Sequence, residues 1–188
     1  TGICMIFVTE DGQRTMAANL GANLDINESI LNLDKLKIAD YLLFDNFSLS
    51  SKNGLSTVIA ALREKANSQV CFGVSDESLV TEHLKNLQWL SQNKIDLIYG
   101  NHQEVAKLKS EISLFAHNVL ETNGENGASY NGKLVPAPKI DIVNSNGAGD
   151  ALIGTFLALK DKYDEATALF KSVGYASRVC RVNGPRLI

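Results

Sequence analysis

Apolar and polar positions along this chain follow two periods, and the chain switches repeatedly from one to the other. Residues 3–9 form a β-branched, apolar run and residues 14–19 a second one. Asp11-Gly12 lies between them, a strong hairpin signal. Tyr41, Leu42, Leu43 and Phe44 make a short buried strand, after which Leu55, Val58, Ile59 and Leu62 recur at helical spacing. Residues 70–74 predict the next strand, and Val80, Leu84 and Leu87 line one face of the helix after it. A strand at 95–99, a short helix marked by Val105 and Leu108, and a short strand at Val119-Leu120 follow. Asn131-Gly132 turns a second hairpin before Pro136 and Pro138. The last third reads as a strand at 140–143, a loop at 144–149 and a helix from Asp150 to about Lys162. A final helix starts near Asp164, with Leu169, Phe170, Val173 and Ala176 on its buried side.

Strands alternating with helices of this length imply βαβ crossovers, so the fold class is α/β: a mostly parallel sheet with helices on both faces. The two hairpins add antiparallel strands at its edge. At 188 residues the chain fits a single α/β domain spanning 1–188. With 45% hydrophobic and 21% charged residues it has enough apolar surface to fold, which excludes a disordered chain. No apolar run approaches the ~20 residues a membrane span needs. A net charge of −3 gives no basic face for nucleic acid or an anionic membrane. Cys4, Cys71 and Cys180 are scattered without CxxC spacing, as in a reduced, cytoplasmic protein. His83, His102 and His117 have no metal-binding spacing.

Ligands of parallel sheets bind beyond the carboxyl ends of the strands, and three loops there carry chemistry. The most informative is Asn144-Ser145-Asn146-Gly147-Ala148-Gly149-Asp150, which opens a helix. Glycines at 147 and 149 let the backbone turn tightly and approach a ligand. The following amides point out of a helix N-terminus, an anion site by geometry and dipole. There is no GxxxxGK[ST] string, and GxGxxG fails because Asp150 would stand where a pyrophosphate docks. A carboxylate beside an anion hole suits a base that deprotonates an alcohol while the amides stabilise a phosphoryl group. By itself the string fits a helix N-cap after a tight turn equally well.

These residues resemble the signature of the PfkB carbohydrate kinase family, the ribokinase-like fold that includes adenosine kinases. The resemblance implies Asp150 as catalytic base and the amides of Gly147, Ala148 and Gly149 as anion hole. Asn146, directly before Gly-Ala-Gly, is similar to the adenosine kinase form. Asn101-His102-Gln103-Glu104 resembles the family's Asn-x-x-Glu motif, which implies that Asn101 and Glu104 arrange Mg²⁺ through water beside the phosphates. Alone, the two residues also fit a helix cap and a first-turn acid. Thr122-Asn123-Gly124-Glu125-Asn126-Gly127 resembles the nucleotide loop, giving Thr122, Gly124 and Gly127 to ATP. Asn183-Gly184-Pro185-Arg186 is similar to the loop closing that site, with Gly184 as a nucleotide contact, and Arg14 stands where an arginine meets phosphate charge.

The sequence also departs from the pattern. Asn144 replaces the family's first acid and Ser145 its threonine, so the charge that helps hold a monovalent cation is missing. Arg178 and Arg181 occupy the closing helix, where smaller residues are expected. The resemblance implies an ATP- and Mg²⁺-dependent phosphotransferase acting on a primary hydroxyl of adenosine or a sugar, as a monomer or homodimer. A ribokinase- or fructokinase-like sugar kinase, a non-catalytic nucleotide-binding remnant and an NAD-binding domain are the alternatives. The motif order further implies the C-terminal, nucleotide-binding portion of a longer kinase.

Overall fold

The apolar runs and helical stripes become eight strands and seven α-helices among the described residues. The computed structural model describes residues 2–8, 14–93, 95–113, 116–185 and 187, the side chains of Val8, Arg14 and Met16 aside. The chain divides into two compact units, Thr1–Asp40 with Phe47–Ser68, and Tyr41–Asn46 with Gln69–Ile188.

In the first unit, β1 (Ile3–Val8) and β2 (Arg14–Asn19) pair antiparallel, with Ile3 opposite Asn19 and Val8 opposite Arg14. They form a separate two-stranded sheet, not an edge of the large one as the sequence suggested. The Asp11-Gly12 turn lies outside the described residues. Helix α1 (Leu33–Ile38) precedes α2 (Lys52–Glu64), which starts where the Ser51 side chain accepts the Gly54 N–H. The stripe that α2 buries is Gly54, Thr57, Val58 and Ala61. The spacing is the expected one, rotated from the predicted set, which shares only Val58. The rotation has a steric cause: a side chain at 54 would come within 2.3 Å of the Ser48 carbonyl oxygen, so helix and backbone meet at a glycine.

The second unit is built on a six-stranded sheet in the order β3-β4-β5-β6-β7-β8. Its strands are β3 (Tyr41–Asp45), β4 (Gln69–Gly73), β5 (Ile95–Asn101), β6 (Ala116–Thr122), β7 (Ala128–Tyr130) and β8 (Lys133–Val135). The first four are parallel; β7 and β8 add antiparallel strands at one edge. Asn131 and Gly132 both have positive φ, as the two-residue turn between β7 and β8 requires. Side chains alternate across the sheet. On one face Cys71, Leu97, Leu120 and Tyr130 pack with Leu152, Ile153, Phe156, Leu169 and Val173. These last five belong to α6 (Ala148–Leu159) and α7 (Glu165–Val179). Phe72 and Ile98 alternate with that row and are also fully buried, and Phe44 meets Phe72 edge-on at 5.5 Å.

Three local expectations fail, each for a visible reason. Residues 140–143 are not a strand; the N–H groups of Val143 and Asn144 donate instead to the Cys180 carbonyl at 2.9 and 3.1 Å, tying the segment to the end of α7. The helix expected through Val80 and Leu87 is two helices, α3 (Glu77–Glu82) and α4 (Leu84–Ser91). They break at His83, which is buried with its Nδ1 2.9 Å from Asn46 Oδ1. Phe170 is 68% exposed, because α7 turns Leu169 and Val173 inward and leaves position 170 on the solvent side. No described helix is long and apolar enough to cross a membrane.

Candidate active site

Helix α6 begins without help from any side chain. Its N-cap is Gly147, with φ +77°, and no side chain accepts from the first turn. The left-handed geometry favours glycine, and space demands it: a Cβ there would lie 2.1 Å from the Pro185 carbonyl oxygen. The closing loop at 183–185 is thereby seated against the Gly-Ala-Gly turn. Asn144 braces the approach, its Oδ1 accepting the Asn146 N–H at 2.9 Å. The helical ladder starts with the Ala151 N–H donating to the Gly147 carbonyl at 2.9 Å. Among the three predicted anion-hole amides, Ala148's already leans on the Ser145 carbonyl, at a long 3.3 Å. The Gly149 and Asp150 amides occupy first-turn positions, where a helix offers them no partner. Positive helix-end potential, open amides and the exposed Asp150 carboxylate thus share one turn.

Helix α5 (His102–Glu111) begins in the opposite way. Asn101 caps it: Oδ1 accepts the Glu104 N–H at 2.9 Å. The Glu104 carboxylate reaches back to the Asn101 N–H at 2.9 Å and to Asn101 Nδ2 at 2.7 Å. Burial pushes the Glu104 carboxyl above its ordinary range; the Asn101 N–H opposes this, while Asp76 and Glu77 add to it. At the end of β6, Thr122 pairs with Ala128, and a tight turn follows in which the Asn123 N–H donates to the Gly127 carbonyl at 2.8 Å. Gly127, at φ +100°, sits where a Cβ would strike the Val135 carbonyl oxygen at 2.0 Å; a Cβ on Gly124 would meet nothing. The side chain of Arg14 lies outside the described residues.

The model for the "pfkB family carbohydrate kinase" matches residues 1–187. The chain belongs to that family. It is 27% identical over 184 residues to "Probable fructokinase-5" of Arabidopsis thaliana, an alignment covering 84% of this chain and 55% of that protein. Its fold matches the crystal structure of adenosine kinase from Sinorhizobium meliloti at TM-score 0.89 and 22% identity, over all of this chain and 63% of that one. It also matches a putative ribokinase II from E. coli in complex with ATP and Mg²⁺ at TM-score 0.80 and 19% identity, over 96% of this chain and 65% of that one. The chain thus spans little more than half the length of the fructokinase relative.

Within this pfkB fold the structure adds residues that motif matching passed over. His102 Nδ1 lies 2.9 Å from Glu121 Oε1, linking the first residue of α5 to the end of β6. Burial pushes the phenol of Tyr99, two residues before Asn101 on β5, upward, and the charges of Asp45, Asp150 and Glu104 add to it. The alternating pattern of β5 carries the only sequence signal for Tyr99: it falls on the same side as Leu97. Among the described residues, no group of three His, Cys, Asp or Glu side chains could hold a metal directly.

Proposed function

We propose that this chain is the nucleotide-binding portion of an ATP-dependent kinase that phosphorylates a primary hydroxyl of adenosine or a sugar. The observation that carries the reading is the start of α6. Gly147 closes against Pro185, the first-turn amides of Gly149 and Asp150 have no intrahelical partner, and a carboxylate stands beside them. Asp150 takes the acceptor's hydroxyl proton, and the freed oxygen attacks the γ-phosphorus in line. The bond from that phosphorus to the bridging oxygen breaks and ADP leaves. The amides and the helix dipole stabilise the charge on the phosphoryl oxygens. The loop at 122–127, with Gly124 open to approach, and Gly184 flank the nucleotide, and Asn146 is held at the turn by Asn144.

Asn101 and Glu104 suit a magnesium ion held through water rather than directly. Each Glu104 oxygen already accepts one N–H and keeps further lone-pair capacity for a water. Bound Mg²⁺ supplies charge neutralisation at the phosphates. Asn144 keeps its loop closed by a neutral hydrogen bond. The turn therefore does not depend on a charged residue at that position.

Family relatives named as fructokinase and adenosine kinase motivate the choice of acceptor class. Incubation with Mg·ATP and, in turn, adenosine, ribose and fructose, with ADP release and product mass as readouts, tests the proposal. Phosphorylation of one acceptor is expected. Nucleotide binding without any product would leave a non-catalytic nucleotide-binding protein instead.

A further inference from the structure

Asparagine followed by glycine occurs six times in the chain, at 53, 123, 126, 131, 146 and 183. Asparagine is a chemically labile residue. Its side-chain amide carbon can be attacked by the backbone nitrogen of the next residue, and a glycine there has the freedom to bring that nitrogen in. The following residue is the same in all six, so sequence does not rank them. Structure does, through whether the two reacting groups are already held.

Four of the pairs are held. The Gly54 N–H donates to Ser51 Oγ at 3.0 Å in the first turn of α2. The Gly127 N–H donates to the Gly124 carbonyl at 3.1 Å, and Gly127 itself packs against the Val135 carbonyl. Asn131 is fixed at both ends of its amide. Its Oδ1 accepts the Val119 N–H at 2.9 Å and its Nδ2 donates to Asn118 Oδ1 at 3.0 Å. Gly147 is pressed against the Pro185 carbonyl, which leaves its peptide no room to swing.

Asn123-Gly124 and Asn183-Gly184 differ. Among the described residues neither asparagine side chain enters a hydrogen bond, and neither glycine N–H has an acceptor. Gly124 has φ +55° and Gly184 φ +120°, and a Cβ on either would meet no atom within 4 Å. Each pair thus combines a free nucleophile, a free amide and open space. Both belong to the loops proposed to flank the nucleotide.

We propose that Asn123 and Asn183 are self-modifying sites, each deamidating through a cyclic imide while the other four asparagines persist. With its proton taken by water, the glycine nitrogen bonds to the asparagine Cγ. The bond from Cγ to the side-chain nitrogen breaks and ammonia leaves. Water then opens the imide at either carbonyl, giving aspartate or an isoaspartate that routes the main chain through Cβ. The sites rest on the geometry of the two loops; the consequence rests on the kinase reading. A new negative charge enters a wall of a site for an anionic ligand, so the product binds Mg·ATP more weakly.

The chain is kept for days in mildly alkaline buffer, alone, with saturating Mg·ATP, and in urea, and the six positions are followed by peptide mass mapping. Conversion at 123 and 183 with the other four intact is expected in the folded chain. Urea should abolish that ranking, since every pair then has the same neighbour and no fold. Mg·ATP should slow both sites. The deamidated fraction, separated by anion exchange, should bind Mg·ATP about fivefold more weakly in calorimetric titration, the upper scale of one exposed charge pair. Even conversion across the six, or earliest conversion at 53, 126, 131 or 146, overturns the inference. Conversion at 123 and 183 that Mg·ATP does not slow, with unchanged affinity in the product, overturns the placing of these loops at the nucleotide and leaves the modification sites standing.

Discussion

Two helices of the same unit start in opposite ways, one closed by its own side chains and one without a side-chain cap. Helix α5 is closed at its N-terminus by a reciprocal capping box, with Asn101 and Glu104 exchanging hydrogen bonds at 2.9 Å or less. Helix α6 has a left-handed glycine there and no side-chain cap. A glycine in place of a side-chain cap normally costs a helix end only a few tenths of a kcal/mol. At α6 that cost coincides with a glycine fitted to Pro185 and a carboxylate in the first turn. Amides at an uncapped helix N-terminus are the groups to which anions bind in general.

The largest effect should come from the carboxylate on the open helix. Asp150→Asn removes the proposed base while keeping shape, so kcat should fall by about 10³-fold, within the usual range for general-base catalysis. Mg·ATP affinity should stay within about threefold, because the amides proposed to bind phosphate remain. Steady-state kinetics beside calorimetric titration decides it; a variant turning over at near-normal rate would remove Asp150 from the chemistry.

Next comes the glycine that makes the opening. Gly147→Ala forces an alanine to φ +77° and drives its Cβ into the Pro185 carbonyl. Holding a non-glycine residue in such a conformation costs about 1–3 kcal/mol. The loss should appear in chemical denaturation together with weaker Mg·ATP binding. A variant with native stability would show that the 183–185 loop is not anchored on this turn.

The two helix starts also show how much could be read in advance. The Gly-Ala-Gly-Asp string revealed the start of α6, because glycine spacing and a following apolar helix are local properties. The strand at 140–143 was misread because four apolar residues say nothing about a pairing partner, and here the backbone pairs with Cys180. Asn101 and Glu104 fitted both cap and ligand in the sequence; the geometry shows the cap. The place of Tyr99 was invisible, since its ring and hydroxyl lie over Gly73 of another strand, 26 residues away. Local pattern carries the elements, whereas cross-strand register carries contacts such as Tyr99 over Gly73.

The closed helix should respond mildly. Asn101→Ala deletes the acceptor for the Glu104 N–H and should cost about 1 kcal/mol of unfolding free energy. Asn101→Ser retains a capping oxygen and should recover most of it. Comparing Mg·ATP affinity in the two variants sharpens the contrast. A loss in alanine that serine repairs marks a cap acting through α5, and a loss in both marks Asn101 as part of the Mg²⁺ and phosphate arrangement.

The smallest effect concerns the acid in that cap. Burial raises the Glu104 carboxyl in the folded chain above its ordinary value of 4.5, so the native state binds this proton more tightly than the unfolded state does. The contribution of this group to stability is therefore complete below about pH 4.5 and declines as the pH rises through the raised value. Wild type should lose stability relative to Glu104→Gln between pH 4 and 7, since the glutamine variant has no charge to bury. Urea unfolding of both proteins across that window reads the slope. A flat difference would mean that the Asn101 N–H and Nδ2 fully compensate the buried charge. A falling one would mean that these hydrogen bonds leave part of the cost of burying the charge uncompensated.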